Sequence, residues 1–259
     1  MNQKLNSFIF VIISMLAGQT HGQGTVPFQA SSPVLIELFT SQGCSSCPPA
    51  EKILNTWGMT LFKTRKALPL AFHVDYWDNL GWKDPFSIPL ATNRQRQYTD
   101  FYNATSLFTP EMTVNGQLGF NGADLSEAKN EFSQSALLTG LAPIKLKTLL
   151  GHQALRVQVF LPSNTLSMGD PTVNVAVFEN DLSTKVLGGE NNGRFLEENF
   201  VVRYHNSILK SSISPSSTWE ISIPLGSSWK LSNIGVGVWL QDSRTMKSQG
   251  LSWVYPVSN

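Results

Sequence analysis

The sequence predicts an α/β domain over residues 33–140 followed by a small all-β, sandwich-like domain over residues 141–259. Three observations carry that division. Val34 to Thr40 (VLIELFT) and Leu68 to Val74 are apolar runs of strand length, and Ala50 to Arg65 between them spaces Ile53, Leu54, Trp57 and Leu61 along one helical face. After Gly140 the periodicity changes to two: Leu155, Val157, Val159 and Leu161 alternate with Arg156 and Gln158. Val173, Val175 and Val177, then Trp219, Ile221 and Ile223, then Ile234, Val236, Val238 and Leu240 repeat that alternation between clusters of Gly, Pro, Asn and Ser. With 41% hydrophobic and 14% charged residues the chain can bury a core and is too poor in charge to stay unfolded.

Residues 1–22 read as an export leader. Lys4 supplies the positive start, Phe8 to Ala17 is an apolar stretch, and Thr20-His21-Gly22 is the expected cleavage region. The stretch is too short to span a bilayer comfortably, and no second long apolar run follows, so no integral membrane segment is expected once the leader is gone. The expected location is periplasmic or secreted. Net charge is +1, or zero without Lys4, which leaves no basic field for nucleic acid phosphates.

The chain has two cysteines, Cys44 and Cys47. A disulfide between residues three apart closes too short a loop to constrain the unfolded chain, so the value of the pair is chemical. Ser41-Gln42-Gly43 ends the first strand, while Pro48 and Pro49 suit the first turn of a helix. Cys44 is thereby expected at a strand–helix junction, where free N–H groups favour a thiolate. Cys47, one turn along, is placed to attack a mixed disulfide formed on Cys44.

A right-handed crossover makes the first two strands parallel neighbours and brings their C-terminal ends to one edge of the sheet. His73, Asp75, Tyr76, Trp77 and Asp78 are therefore expected near Cys44. For His73 the readings are a proton shuttle, an imidazolium that lowers the Cys44 pKa, or a structural hydrogen bond. For Asp75 they are orienting His73, accepting the proton of Cys47, or again a structural bond. Trp77, Leu80, Trp82, Pro85 and Phe86 form a loop that reads as a lid or a self-packed plug. A helix is predicted over Ser87 to Asn103, with Arg94 and Arg96 solvated. Thr109-Pro110 then opens a short strand, Asn115-Gly116 a turn, and Asp124 to Leu138 a helix. Gly188 to Arg194 (GGENNGR) reads as a hairpin or inter-sheet loop, or as a loop that crosses to the dithiol with Glu190 and Arg194. His152 and His205 read as surface or capping residues.

Strand, Cys-x-x-Cys, helix, strand, Thr-Pro, hairpin and helix is an order that resembles the thioredoxin-like fold, which implies a cis peptide before Pro110 and a role for it beside the dithiol. The stretches ELFTSQGCSSCPPA, AFHVDYWDNLGWKDPF and TPEMTVNG, with GENNGR and VVR more loosely, resemble a secreted thioredoxin-like family catalogued as domain of unknown function 1223. That resemblance implies the fold and export, and no substrate. It departs at Glu198 and Asn199, where members often carry a histidine.

The function expected from these residues is exported thiol–disulfide exchange on protein or small-molecule thiols and disulfides. Cys44 and Cys47 form the redox pair, Pro110, His73 and Asp75 are the candidate supporting residues, and no cofactor is required. A different class of function stays open: two thiolates with His73 or Met112 are soft ligands suited to copper(I). A third is a recognition module in which the dithiol has no catalytic part. No phosphate-binding loop, nucleophile elbow or paired-histidine zinc motif is present.

Overall fold

The computed structural model describes residues 33–136, 144–161, 171–213, 218–255 and 257. The export leader and the division placed at residues 140–141 lie outside them. The first half contains β1 (Val34–Thr40), α1 (Pro48–Ile53), a π-helical turn (Leu54–Gly58), α2 (Met59–Lys63), β2 (Ala67–His73), α3 (Pro89–Phe101), β3 (Glu111–Val114), β4 (Phe120–Asn121) and α4 (Leu125–Ala136). The second half contains β5 (Lys145–Leu150), β6 (Ala154–Phe160), β7 (Thr172–Glu179), β8 (Leu182–Lys185), β9 (Phe195–Glu198), β10 (Val201–Leu209), β11 (Thr218–Pro224), β12 (Ile234–Gln241) and β13 (Ser248–Val254). None of the described helices is long and apolar enough to cross a membrane.

The local elements form close to where the side-chain patterns put them, and the assembly differs. The expected fold class, an α/β thioredoxin-like domain followed by a separate small sandwich, is overturned by the sheet. Strands from both halves make one mixed eight-stranded sheet in the order β13-β12-β7-β10-β2-β1-β3-β4, and the molecule is mostly β. β10 makes the join. Its Val201 pairs in parallel with Ala71 of β2, and the Phe200 carbonyl accepts from the Ala71 N–H at 2.8 Å. Further along, β10 runs antiparallel to β7.

The physical reason lies in the second faces of β7 and β12. Alternation identifies Val173, Val175 and Val177 as one apolar face, and these pack with Val236, Val238 and Leu240 against Leu155, Val157 and Val159 of the three-stranded sheet β11-β6-β5. The residues between them are buried as well: Ala176, Phe178 and Trp239 belong to the core of the first half, with Leu68, Phe72, Phe62 and Phe200. Gly235 and Gly237 allow this approach, since a Cβ on Gly237 would stand 2.4 Å from Leu68 Cδ2 and one on Gly235 would stand 2.3 Å from the Phe178 ring. The sheet is covered on both sides here, so neither half closes a core without the other.

Two polar residues assigned to the surface are interior. Arg94 is buried and its Nε and Nη2 hold both oxygens of Glu37 at 2.9 and 3.1 Å. His205 is buried, lies flat against Trp239 with ring centroids 5.5 Å apart, and is pushed down to about 3 by burial. His152 is exposed, as expected.

Candidate active site

β1 ends at Thr40, and Ser41 to Ser46 form the turn that carries the first cysteine over the edge of the sheet. The Cys44 N–H donates to the Ser41 carbonyl and the Cys47 N–H to the Cys44 carbonyl, while Cys47 O accepts from Ala50 and Glu51 as α1 begins. Pro48 stands at the first helical position, where the missing N–H costs nothing. Both cysteines are free thiols. They lie just beneath the surface, at 1% and 0% exposure, under exposed Ser45 and Ser46.

The two thiols have opposite environments. Cys44 Sγ is 3.2 Å from Ser46 Oγ and 3.7 Å from the Thr109 carbonyl oxygen. The Cys47 thiol, donating to Cys44, outweighs the penalty of burial, and with smaller help from Ser46 and Thr109 the Cys44 thiol is brought down to about 6. For Cys47, burial, the bond to Cys44 and the charge on Cys44 push the thiol far up. The groups that favour a Cys44 thiolate are thus its partner cysteine, Ser46 of its own turn and Thr109 from the segment facing it. The Thr109–Pro110 peptide is cis.

His73, at the end of β2, is buried under the same edge. Its Nδ1 lies 2.7 Å from Asp84 Oδ2, so the orienting role considered for Asp75 belongs to Asp84. Asp75 instead accepts from Thr92 Oγ1 at 2.5 Å, near the start of α3. Asp84 is held from several sides: its two oxygens accept from the N–H groups of Gln42 and Phe86, both at 2.8 Å. The loop with Trp77, Trp82 and Phe86 is the scaffold that delivers Asp84. Phe86 stands edge-on to the His73 ring, and Trp82 Nε1 donates to Gln42 Oε1 at 3.0 Å.

Two further carboxylates complete the cluster. Glu51 on α1 accepts from Thr40 Oγ1 at 2.6 Å, and Glu198 at the end of β9 accepts from Gln42 Nε2 at 2.9 and 3.0 Å. Burial raises both, Glu198 to about 8. The Asp84 carboxylate beside it raises His73 to about 9 against the opposing effect of burial. Glu51, His73 and Glu198 are the one group of three His, Cys, Asp or Glu among the described residues whose ligand atoms lie within 4.8 Å of one another. Neither cysteine is in it, so this group differs from the soft-metal set of Cys44, Cys47 and His73 or Met112. Met112 is buried on β3 opposite Leu38 of β1.

The glycine-rich loop is both things it resembles. It closes the β8–β9 hairpin, and it crosses to the dithiol: Asn191 Nδ2 donates to the carbonyls of Gln42 and Cys44 at 2.9 and 2.8 Å, and Glu190 accepts from the Ser45 N–H at 2.8 Å. Arg194 is exposed. Gln42 and Asn191 escape sequence reasoning because their partners lie 40 to 156 positions away, and Asp84, 11 positions from His73, because only the fold of the loop between them turns its carboxylate onto the ring.

The profile of a family described as "Protein of unknown function (DUF1223)" matches residues 35–241. The chain belongs to this family. Two solved structures resemble the DUF1223 chain along most of its length. One, of a protein from Agrobacterium tumefaciens, has a TM-score of 0.63 at 23% identity and covers 90% of this chain and 98% of its own. The other, HBP35 of Porphyromonas gingivalis, has a TM-score of 0.60 at 13% identity and covers 87% and 76%. At these identities the likeness concerns the fold alone. No protein with a curated description matches the DUF1223 chain.

Proposed function

We propose that this DUF1223 protein is an exported thiol–disulfide oxidoreductase in which Cys44 attacks and Cys47 resolves. The observation that supports the reading is the placement of two adjacent free thiols just beneath the surface, with Ser46 Oγ 3.2 Å from Cys44 Sγ; their environments pull the Cys44 thiol down to about 6 and push the Cys47 thiol up. The Cys44 thiolate displaces one sulfur of a partner disulfide as a thiolate and forms a mixed disulfide. Cys47 sulfur then attacks Cys44 sulfur; its proton leaves with the second partner sulfur, and a Cys44–Cys47 disulfide remains. Two electrons pass from the pair to the partner, and the reverse sequence donates a disulfide. Export rests on the leader-like residues 1–22.

The test is the rate of reaction with a small aromatic disulfide across pH 4–9. The expected profile rises with a midpoint of about 6. Ser46→Ala moves that midpoint upward, and Cys47→Ala moves it further and traps the mixed disulfide. A profile with its midpoint near 9, the ordinary thiol value, or a Cys47→Ala protein that still turns over, overturns the reading. The same shift makes a stability statement. The folded-state pKa of Cys44 is depressed, so at this one site the reduced native state holds less proton than the unfolded chain between about pH 6 and 9. Its stabilising contribution is complete above pH 9 and is lost as pH falls through about 6. A Cys44→Ala protein should lack that slope in denaturant midpoints.

A further inference from the structure

Behind the dithiol, buried charge does not balance. Glu51, Asp84 and Glu198 bring three carboxyl groups around one imidazole, all nearly closed to solvent. Asp84 occupies His73 Nδ1. His73 Nε2 is fully buried and has no hydrogen-bond partner. A buried polar nitrogen left without a partner costs free energy on the order of 1–3 kcal/mol, and gathered carboxylates repel unless a cation or protons join them. The imidazole, Glu51 and Glu198 line one narrow gap, too small for a water molecule, together with Asn55 and Asn199. Glu51, Asn55 and Asn199 also line an open groove of about 600 Å³ between α1 and β9, so the gap and the groove share a wall.

We propose that Glu51, His73 and Glu198 form a binding site for a divalent first-row transition ion of the zinc class, with His73 Nε2 and one oxygen of each glutamate as ligands. The donor set of one imidazole and two carboxylates suits Zn²⁺ or Mn²⁺ and is unlike the thiolate set that selects copper(I). Ligand atoms within 4.8 Å of one another leave a common centre no more than about 2.8 Å from each. Zinc bonds of about 2.0–2.2 Å therefore ask each side chain to close by well under 1 Å. Asp84 on Nδ1 is the outer partner that fixes the tautomer presenting Nε2 to a metal. Gln42 and Thr40 orient the two glutamates.

The experiment uses Zn²⁺ as the probe and the full chain carrying Cys44→Ser and Cys47→Ser, because thiolates themselves bind zinc. Competition with a chromophoric chelator should show one equivalent bound, with a rise in the thermal midpoint as zinc is added. His73→Gln should weaken binding by more than about 100-fold, and Asp84→Asn, which touches no metal, by about 10–100-fold. Glu198→Gln keeps the shape and removes a ligand charge. It is the deciding variant if His73→Gln fails to fold, and should weaken binding by at least about 10-fold. No bound zinc in the cysteine-free chain, or binding unchanged by Glu198→Gln in a folded protein, overturns the site. The thiol reaction of the unsubstituted chain is a separate readout, so its failure and the failure of the metal site are distinguishable.

Discussion

Two buried polar clusters stand close to the central strands of this protein and are built on opposite principles. In the first, Glu37, Arg94, Tyr98 and Gln241 tie β1 and α3 to β12. Arg94 donates to both oxygens of Glu37, to Tyr98 at 2.7 Å, to Gln241 at 2.7 Å and to Gln97 at 3.3 Å. All five guanidinium hydrogens are used and one cation meets one anion. Tyr98 in turn donates to Glu37. In the second, around His73, three carboxyl groups share one imidazole and one ring nitrogen has no partner. The first cluster is complete by itself, so its role is to hold the two halves of the chain together. The second is incomplete by itself and lies beside a groove and a dithiol, which is why the proposed chemistry is placed there.

The comparison is broken most directly at Arg94. Arg94→Met should leave Glu37 buried without a counter-charge and cost about 3–5 kcal/mol in urea unfolding. A loss below about 1 kcal/mol would mean that the pair is not the lock it resembles. Asn191→Ala should cost about 2 kcal/mol, because two buried carbonyls, those of Gln42 and Cys44, lose their donor. It should also slow the thiol reaction, since the turn carrying Cys44 loses its tether to the glycine-rich loop. If the reaction rate does not move, that loop holds the fold and not the site. Asp75→Ala should cost only about 1 kcal/mol, the worth of its bond with Thr92, and leave the pH midpoint of the thiol reaction in place. A shifted midpoint would restore Asp75 to the chemistry. The smallest effect is expected at Glu198→Gln in metal-free protein: replacing one of three crowded carboxyl groups, whose ionisation burial already opposes, should change stability by no more than about 1 kcal/mol, in the stabilising direction. That sign is opposite to the one at Arg94, and equal losses at both would erase the distinction between the clusters.

Much of this was readable along the chain. The alternation over residues 154–160 places Leu155, Val157 and Val159 inward and Arg156 outward, as observed, because a strand packed on one face obeys a period of two. The proline pair after Cys47 marks the helix start. The continuous helix expected over Ala50 to Arg65 is interrupted by the π turn at Leu54–Gly58; a Cβ on Gly58 would stand 3.3 Å from Pro69, a closeness that no local pattern announces. Alternation picks out one face of β7 and β12 and is silent on the other, where Asn174, Ala176, Gly235 and Gly237 are buried too, Ala176 and Gly237 against the first half. Arg94 misled: an arginine on a polar helix reads as solvated until its carboxylate, 57 positions earlier, is known.

The sequence by itself determined the local elements and the spacing of the two cysteines. Strand periodicity, helix spacing, proline and glycine punctuation and the Cys-x-x-Cys spacing are short-range properties, set by backbone sterics and by which side chains are neighbours along the chain. Tertiary structure alone decided three other matters: that one sheet runs through both halves, that His73 turns to Asp84 and away from Asp75, and that Glu51 and Glu198 meet beside its free nitrogen. Those depend on which strands pair and on how buried charges are shared among residues up to about 150 positions apart, and charge balance in an interior is a property of the assembled fold.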